Sequence, residues 1–202
     1  MTKQIAVVIG HPFAKSFNHV LADRYANYAR GEGAEVRVID LATQEFRERP
    51  SKQDDLRVLN EADVADYGPE ITEMVETLQW ADHIAFFHPV WWGTYPAALK
   101  AFIDRTFLDG IAFIYAKKYA DQIKRFQGKT ARIFYTMNAP SIWYWFKFGR
   151  AGLRSLRDAV LGYCGVKTLG AHAFTRVRYS TPDTREYWLS LAAKWGKKDG
   201  RS

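Results

Sequence analysis

The chain has 202 residues, of which 48% are hydrophobic and 25% charged, with a formal net charge of +7. That length suits one domain spanning residues 1–202, and that apolar fraction excludes a disordered or fibrous chain. The positive balance asks for an anionic partner, yet Lys and Arg are scattered and densest only at Lys194, Lys197, Lys198 and Arg201. Without an RNA-binding sheet motif, zinc-finger spacing or basic helix beside them, nucleic acid is not expected as a partner. An anionic small cofactor or the cell's anionic surfaces account for the charge.

A single cysteine, Cys164, rules out an internal disulfide and offers no metal cluster, so no metal is expected. The apolar run Ile5 to Ile9 is too short for a secretory signal. No stretch approaches the ~20 apolar residues of a spanning helix. The expectation is a cytoplasmic chain with no membrane insertion.

In chain order, Ile5 to Ile9 reads as a strand buried on both faces. Phe17 to Arg30 has helical spacing and is stopped by Gly31 and Gly33. Val36 to Ile39 is the second strand, ending at Asp40, and residues 41–68 form a polar excursion with one helical turn. Pro69 starts a helix to Trp80. Ile84 to Phe87 is the third strand, and Pro96 opens a helix through Phe107. Ala131 to Tyr135 is the fourth strand, followed by a helix near Leu153 to Tyr163. A fifth strand near Leu169 to Phe174 and a helix from Pro182 to Trp195 close the series. Such alternation predicts an α/β fold, a five-stranded parallel sheet with helices on both faces.

In a doubly wound sheet of order 2-1-3-4-5, ligands sit beyond the carboxyl ends of strands 1 and 3. The loops there are unusual. The first, Gly10-His11-Pro12-Phe13-Ala14-Lys15-Ser16-Phe17-Asn18, runs straight into a helix whose free N–H groups favour a phosphate. Ser16 and Asn18 add donors, although Ser16 as an ordinary N-cap explains part of the pattern equally well. Neither a G-x-G-x-x-G nor a Walker pattern is present. The second loop, His88-Pro89-Val90-Trp91-Trp92-Gly93-Thr94-Tyr95-Pro96, is stiff and aromatic. It suits stacking on a flat tricyclic ring such as isoalloxazine, or else a dimer contact. The third, Thr136-Met137-Asn138-Ala139-Pro140-Ser141-Ile142-Trp143-Tyr144-Trp145-Phe146, again joins polar donors to aromatics. Together the three describe a site for a phosphate tail and a flat ring.

His11-Pro12, Ser16-Phe17-Asn18, Asp40-Leu41 and the stretch from Pro89 to Phe107 resemble the flavodoxin-like NAD(P)H:quinone oxidoreductase family. The resemblance covers nearly the whole chain, with residues 41–68 its weakest part. It implies a flavodoxin-like three-layer sandwich, bound FMN or FAD, NAD(P)H as electron donor and a quinone as acceptor. It further implies ping-pong hydride transfer and a homodimer with sites at its interface. By position, it puts His11, Ser16, Phe17 and Asn18 on the phosphate-bearing tail, and Pro89, Val90, Trp91, Trp92 and Gly93 along the ring. Thr136, Met137, Asn138 and Ala139 occupy the place of the family's Thr-Thr-Gly-Gly turn, without the two glycines that allow close backbone approach. Tyr144 matches a family tyrosine beside the flavin, and its usual histidine partner is replaced by Arg150.

A guanidinium there supplies charge without titrating, in place of a proton relay. Asp104-Arg105 reads as a structural ion pair or a hold on its helix, Cys164 as a core residue, and His83 and His172 as structural. The same family includes a regulatory flavoprotein subunit of potassium efflux systems. An electron-carrier flavodoxin is a further alternative, disfavoured by the basic balance.

Overall fold

The structure is a computed structural model and describes residues 2–58, 67–115 and 122–201. Its strands are β1 (Gln4–Ile9), β2 (Glu35–Asp40), β3 (His83–Pro89), β4 (Phe113–Tyr115), β5 (Gln122–Lys124), β6 (Thr130–Met137) and β7 (Lys167–Thr175). Its helices are α1 (Phe17–Gly31), α2 (Pro69–Trp80), α3 (Ala97–Thr106), α4 (Ser141–Phe146), α5 (Ala151–Arg154) and α6 (Pro182–Gly200). Five strands form one parallel sheet in the order β2-β1-β3-β6-β7. Counted within that sheet, this is the 2-1-3-4-5 order the sequence predicts.

Strand position explains strand composition. Central β3 is buried at every residue and β6 at all but its first, whereas the edge strands β2 and β7 are exposed at many positions. A strand covered on both faces needs a continuous apolar run. Ile5, Val7 and Ile9 of β1 pack with Leu21 and Tyr25 of α1 and Leu189 of α6. Ala6 and Val8, facing the other way, join Met74 of α2 and Leu99 and Phe102 of α3. The registered pair Phe87 and Phe134 stacks across β3 and β6 with centroids 4.5 Å apart.

At the amino ends of the strands, α6 is tied to the sheet by a buried ionic network. Arg132 on β6 grips Asp199 through two bonds of 2.7 Å, and Tyr25 donates to the same carboxylate at 2.8 Å. His83 Nε2 lies 3.3 Å from it, and the Arg132 guanidinium sits 3.9 Å over the Trp195 ring. Burial alone would raise the Asp199 carboxyl; hydrogen bonds from Arg132 and His83 outweigh it and hold the group well below the usual range. His172 approaches Arg132 Nη1 at 3.3 Å, so His83 and His172 have the structural roles expected of them. Gly196 and Gly200 let α6 press onto α1: a Cβ at Gly196 would stand 2.2 Å from the Tyr25 carbonyl oxygen.

Three features depart from expectation. The antiparallel β4–β5 hairpin was not foreseen, because three-residue strands carry no apolar run to betray them. Of the two roles expected of Asp104-Arg105, the mutual ion pair does not form, but Asp104 does brace its helix. Asp104 binds Lys100 one turn away at 2.7 Å, and buried Arg105 donates to the Asp55 carbonyl at 2.8 Å. The helix near Leu153 begins as α5 but runs on as a π-helical stretch over Ser155–Gly162. In the 41–68 excursion one 3₁₀ turn forms at Gln53–Leu56, and residues 59–66 lie outside the described residues. Cys164 is buried, and burial pushes its thiol up to about 12, as suits a core residue.

Candidate functional site

The β1–α1 loop leaves the sheet through Gly10, whose N–H donates to the Phe87 carbonyl at 2.7 Å. A Cβ there would come 2.8 Å from Leu99 Cδ2, so any larger residue would push the Leu99 side chain aside where the loop passes α3. Lys15, at φ +62°, turns the chain into α1. Ser16 takes the N-cap position with extended backbone, yet its side chain makes no capping bond. The hydroxyl pairs instead with His19 Nδ1 at 2.7 Å, and His19 Nε2 lies 3.1 Å from Asp40 Oδ1. The first turn of α1 is therefore without a side-chain cap, and its N–H groups and helix dipole favour an anion.

The other first-loop candidates are placed less alike. Asn18 is 2% exposed, and its side-chain amide donates to Thr136 Oγ1 at 3.0 Å. The Phe17 ring turns away to Trp188, with centroids 5.9 Å apart, so its backbone N–H is what it offers to the loop mouth. His11 packs edge-on to Trp91 at 5.7 Å, and burial, then neighbouring His19, push its pKa down.

Trp91 and Thr94 close a tight turn by two backbone bonds of 2.8 and 3.0 Å, with Trp92 at φ +51° and Gly93 at φ +77°. Both central residues are left-handed, the geometry of a type I′ turn. Tryptophan is a costly choice for such a position, and the residue is 100% exposed at the tip. Behind the turn, the Gly152 N–H donates to the Gly93 carbonyl at 3.1 Å, and a Cβ on Gly152 would stand 2.6 Å from Thr94 Cα. Pro89 is the buried last residue of β3, and the Val90 N–H reaches the Thr136 carbonyl at 2.7 Å.

Three contacts thus draw the three loops together: His11 on Trp91, Val90 to Thr136, and Asn18 to Thr136. Beyond them, Met137, Tyr144, Trp145, Arg150 and Tyr135 line a pocket of about 280 Å³. The Tyr144 oxygen accepts the Leu153 N–H at 3.1 Å, which leaves the phenol hydrogen to be donated elsewhere. Burial first, against the Leu153 hydrogen bond, raises the Tyr144 pKa, so the phenol keeps its proton at neutral pH. Arg150, at φ +52°, starts α5 and binds the Tyr144 carbonyl through its N–H at 3.1 Å. Its guanidinium lies 5.8 Å from the Trp145 ring centroid. Asn138 is exposed and accepts the Arg178 N–H at 2.9 Å, and Ala139 is partly buried against the core.

His88 is buried with its Nδ1 donating to the Pro89 carbonyl at 3.0 Å, and burial lowers its pKa to about 4. It stays neutral near pH 7. Among the described residues no group of three or more His, Cys, Asp or Glu could hold a metal ion. Sequence reasoning missed Tyr135, His19 and Gly152. Only the spacing of Gly93 and Gly152 beside aromatic runs could have signalled a close approach, and Asp40, which faces the far side of the His19 ring, lies on β2.

An uncapped helix start beside an aromatic turn and a tyrosine–arginine pocket, all at the carboxyl edge of a 2-1-3-4-5 sheet, defines a flavodoxin-like protein. The family described as having the flavodoxin-like fold matches residues 3–197, and the chain belongs to it. The ribosyldihydronicotinamide dehydrogenase [quinone] of Pongo abelii is 27% identical, covering 97% of this chain and 90% of its own. The NAD(P)H dehydrogenase [quinone] 1 of Cavia porcellus is 25% identical over 97% of this chain and 76% of its own. A crystal structure of a Streptococcus mutans protein superposes with a TM-score of 0.79 at 28% identity, covering 96% of this chain and 98% of that one.

Proposed function

We propose that the chain is one flavin-binding domain, a three-layer flavodoxin-like NAD(P)H oxidoreductase that reduces quinones or related acceptors by two-electron ping-pong hydride transfer. The observation that carries this reading is the uncapped first turn of α1, joined through Thr136 to a pocket that holds a proton donor and a cation. A phosphate and a ring need such a pair of neighbouring sites. The residues fit FMN or FAD, whose bound ring would supply the hydride acceptor and donor.

In this reading Ser16 and the N–H groups of Phe17 and Asn18 bind the phosphate, with His11 beside them. Asn18 acts chiefly by holding Thr136, hence by keeping the first and third loops together. Trp91, Trp92, Gly93, Val90 and Pro89 exclude water along one side of the ring. Tyr144, fixed through its oxygen by Leu153, donates its hydrogen into the pocket. Arg150 keeps positive charge at the same wall across the accessible pH range, stabilising negative charge that develops there. The formal charge of +7 raises the local concentration of an anionic dinucleotide donor. Trp143, Trp145, Phe146 and Phe148 are exposed beside the pocket, and a second copy of the chain covering them accounts for so much apolar surface.

The test is steady-state oxidation of NADPH and NADH with a soluble quinone. Parallel double-reciprocal lines are expected as the quinone is varied. Oxidation that proceeds only when a protein acceptor is supplied would make the chain a carrier instead.

A further inference from the structure

Ser16 stands where a serine ordinarily caps its helix, and it does not cap. Its hydroxyl is held by His19 Nδ1, and His19 Nε2 faces Asp40 Oδ1. Asp40 Oδ1 also accepts the Ala42 N–H at 3.0 Å, which pins the carboxylate at the end of β2. A carboxylate can only accept, so Nε2 carries its hydrogen toward Asp40. The state of Nδ1 then decides which way the Ser16 bond runs. With a neutral ring, Nδ1 accepts, and Ser16 spends its one hydrogen on it and turns only lone pairs to the mouth of α1. With a protonated ring, Nδ1 donates to Ser16 Oγ, and the Ser16 hydrogen is released for an anion.

We propose that His19 is a positioning residue that couples binding of the flavin phosphate to uptake of one proton, by reversing the Ser16–His19 hydrogen bond. The proposal rests on the flavin reading above and names how that site is regulated by pH. The proton comes from solvent and stays on His19 Nδ1, while the Ser16 hydrogen turns to a phosphate oxygen. The one covalent change is the N–H bond formed at His19 Nδ1 as hydronium or a buffer acid gives up its proton; everything else is an exchange of hydrogen bonds. The groups that meet His19 are Ser16, Asp40 from β2, and His11 from the loop with its ring centroid 6.3 Å away; Lys15 and Asp23, nearby in sequence, are exposed. His11 titrates at lower pH than an ordinary histidine, because burial and then His19 push it down.

By linkage, one coupled proton changes affinity by at most tenfold per pH unit. Affinities of the flavin-depleted chain for FMN, FAD and riboflavin, measured from pH 6 to pH 8 by flavin fluorescence, test the idea. The phosphate-bearing flavins should weaken roughly fivefold or more across that range, while riboflavin stays flat. Ionisation of the FMN phosphate near pH ~6 works in the opposite direction, and the FAD diphosphate has no step there, so neither can mimic the result. His19→Gln and Ser16→Ala should each abolish the slope, and His11→Gln should keep it. In the wild-type full chain, the His19 ring should titrate at higher pH by NMR when FMN is bound. A phosphate preference that is flat in pH, with a His19 ring titrating alike in both states, overturns the proposal and leaves the flavin reading standing. Failure to bind any of the three flavins overturns both.

Discussion

The two ends of the parallel sheet use their polar and aromatic residues in opposite ways. At the amino ends, Arg132 and Tyr25 bind the Asp199 carboxylate in a buried cluster that His83 approaches and Trp195 closes over. At the carboxyl ends, Ser16 leaves its helix uncapped, Trp92 stands fully exposed in a left-handed turn, and Arg150 borders an open pocket. At the amino end polar side chains bind one another and hold α6 to the sheet, whereas at the carboxyl end the helix start, the turn tip and the pocket wall stay open where the proposed flavin would sit. Substitutions at the amino end should therefore cost stability, and those at the carboxyl end should cost binding.

The largest effect is expected at Asp199. Replacing it with Asn leaves Arg132 charged and poorly paired inside the protein, and breaking such a pair costs about 3–5 kcal/mol. Urea unfolding should show that loss with the flavin-binding constant unchanged in the folded fraction. The pH dependence has a definite sign. A carboxyl held below its unfolded value of about 4 contributes stability above that pH and loses it as pH falls. The wild-type chain should weaken below about pH 4, and Asp199→Asn should lack that share of the acid dependence.

The same substitution can be made at both ends. Gly196→Ala drives a Cβ into the Tyr25 backbone, and Gly152→Ala drives one into Thr94. Overpacking of this kind costs about 1–3 kcal/mol at either place. Only Gly152→Ala should also displace the aromatic turn and weaken flavin retention, read by equilibrium dialysis. Equal flavin affinity in the two variants would erase the distinction drawn between the ends.

Trp92→Gly keeps the left-handed turn and removes a ring that touches water. Its stability should fall by no more than about 0.5 kcal/mol, since relief of the left-handed strain offsets the extra freedom of glycine, while flavin binding loses about 1–3 kcal/mol of apolar contact. Unchanged affinity would take Trp92 out of the site. The smallest expected effect is at Arg150, where Ala should slow flavin reduction by NAD(P)H about tenfold, or about 1.4 kcal/mol. The wild-type rate should show no step near pH 6 to 7 from this position, and Arg150→His should introduce one, read by stopped flow.

Much of this architecture is legible in the residues themselves. Apolar runs such as Ile5 to Ile9 and Ile84 to Phe87 declare buried parallel strands, and Pro69 and Pro182 mark helix starts that the structure reproduces. The three loops of the site could be read because aromatic and proline-rich segments are out of place in solvent. Partners across long sequence distances could not be read. Asn18 and Thr136 are 118 positions apart and Arg132 and Asp199 are 67, so neither bond leaves a local pattern. Ser16 and His19 are neighbours on one helix, but whether Ser16 caps α1 depends on Asp40 of β2 facing His19, a contact that local spacing does not reveal.

The central claim is that the open end of the sheet holds a flavin, and the direct measurement is release of the bound cofactor by heat, followed by chromatography and quantitation. The account expects close to one FMN or FAD per chain, or stoichiometric uptake of one of them by the depleted protein with quenching of tryptophan fluorescence. A colourless protein that takes up neither flavin would contradict it.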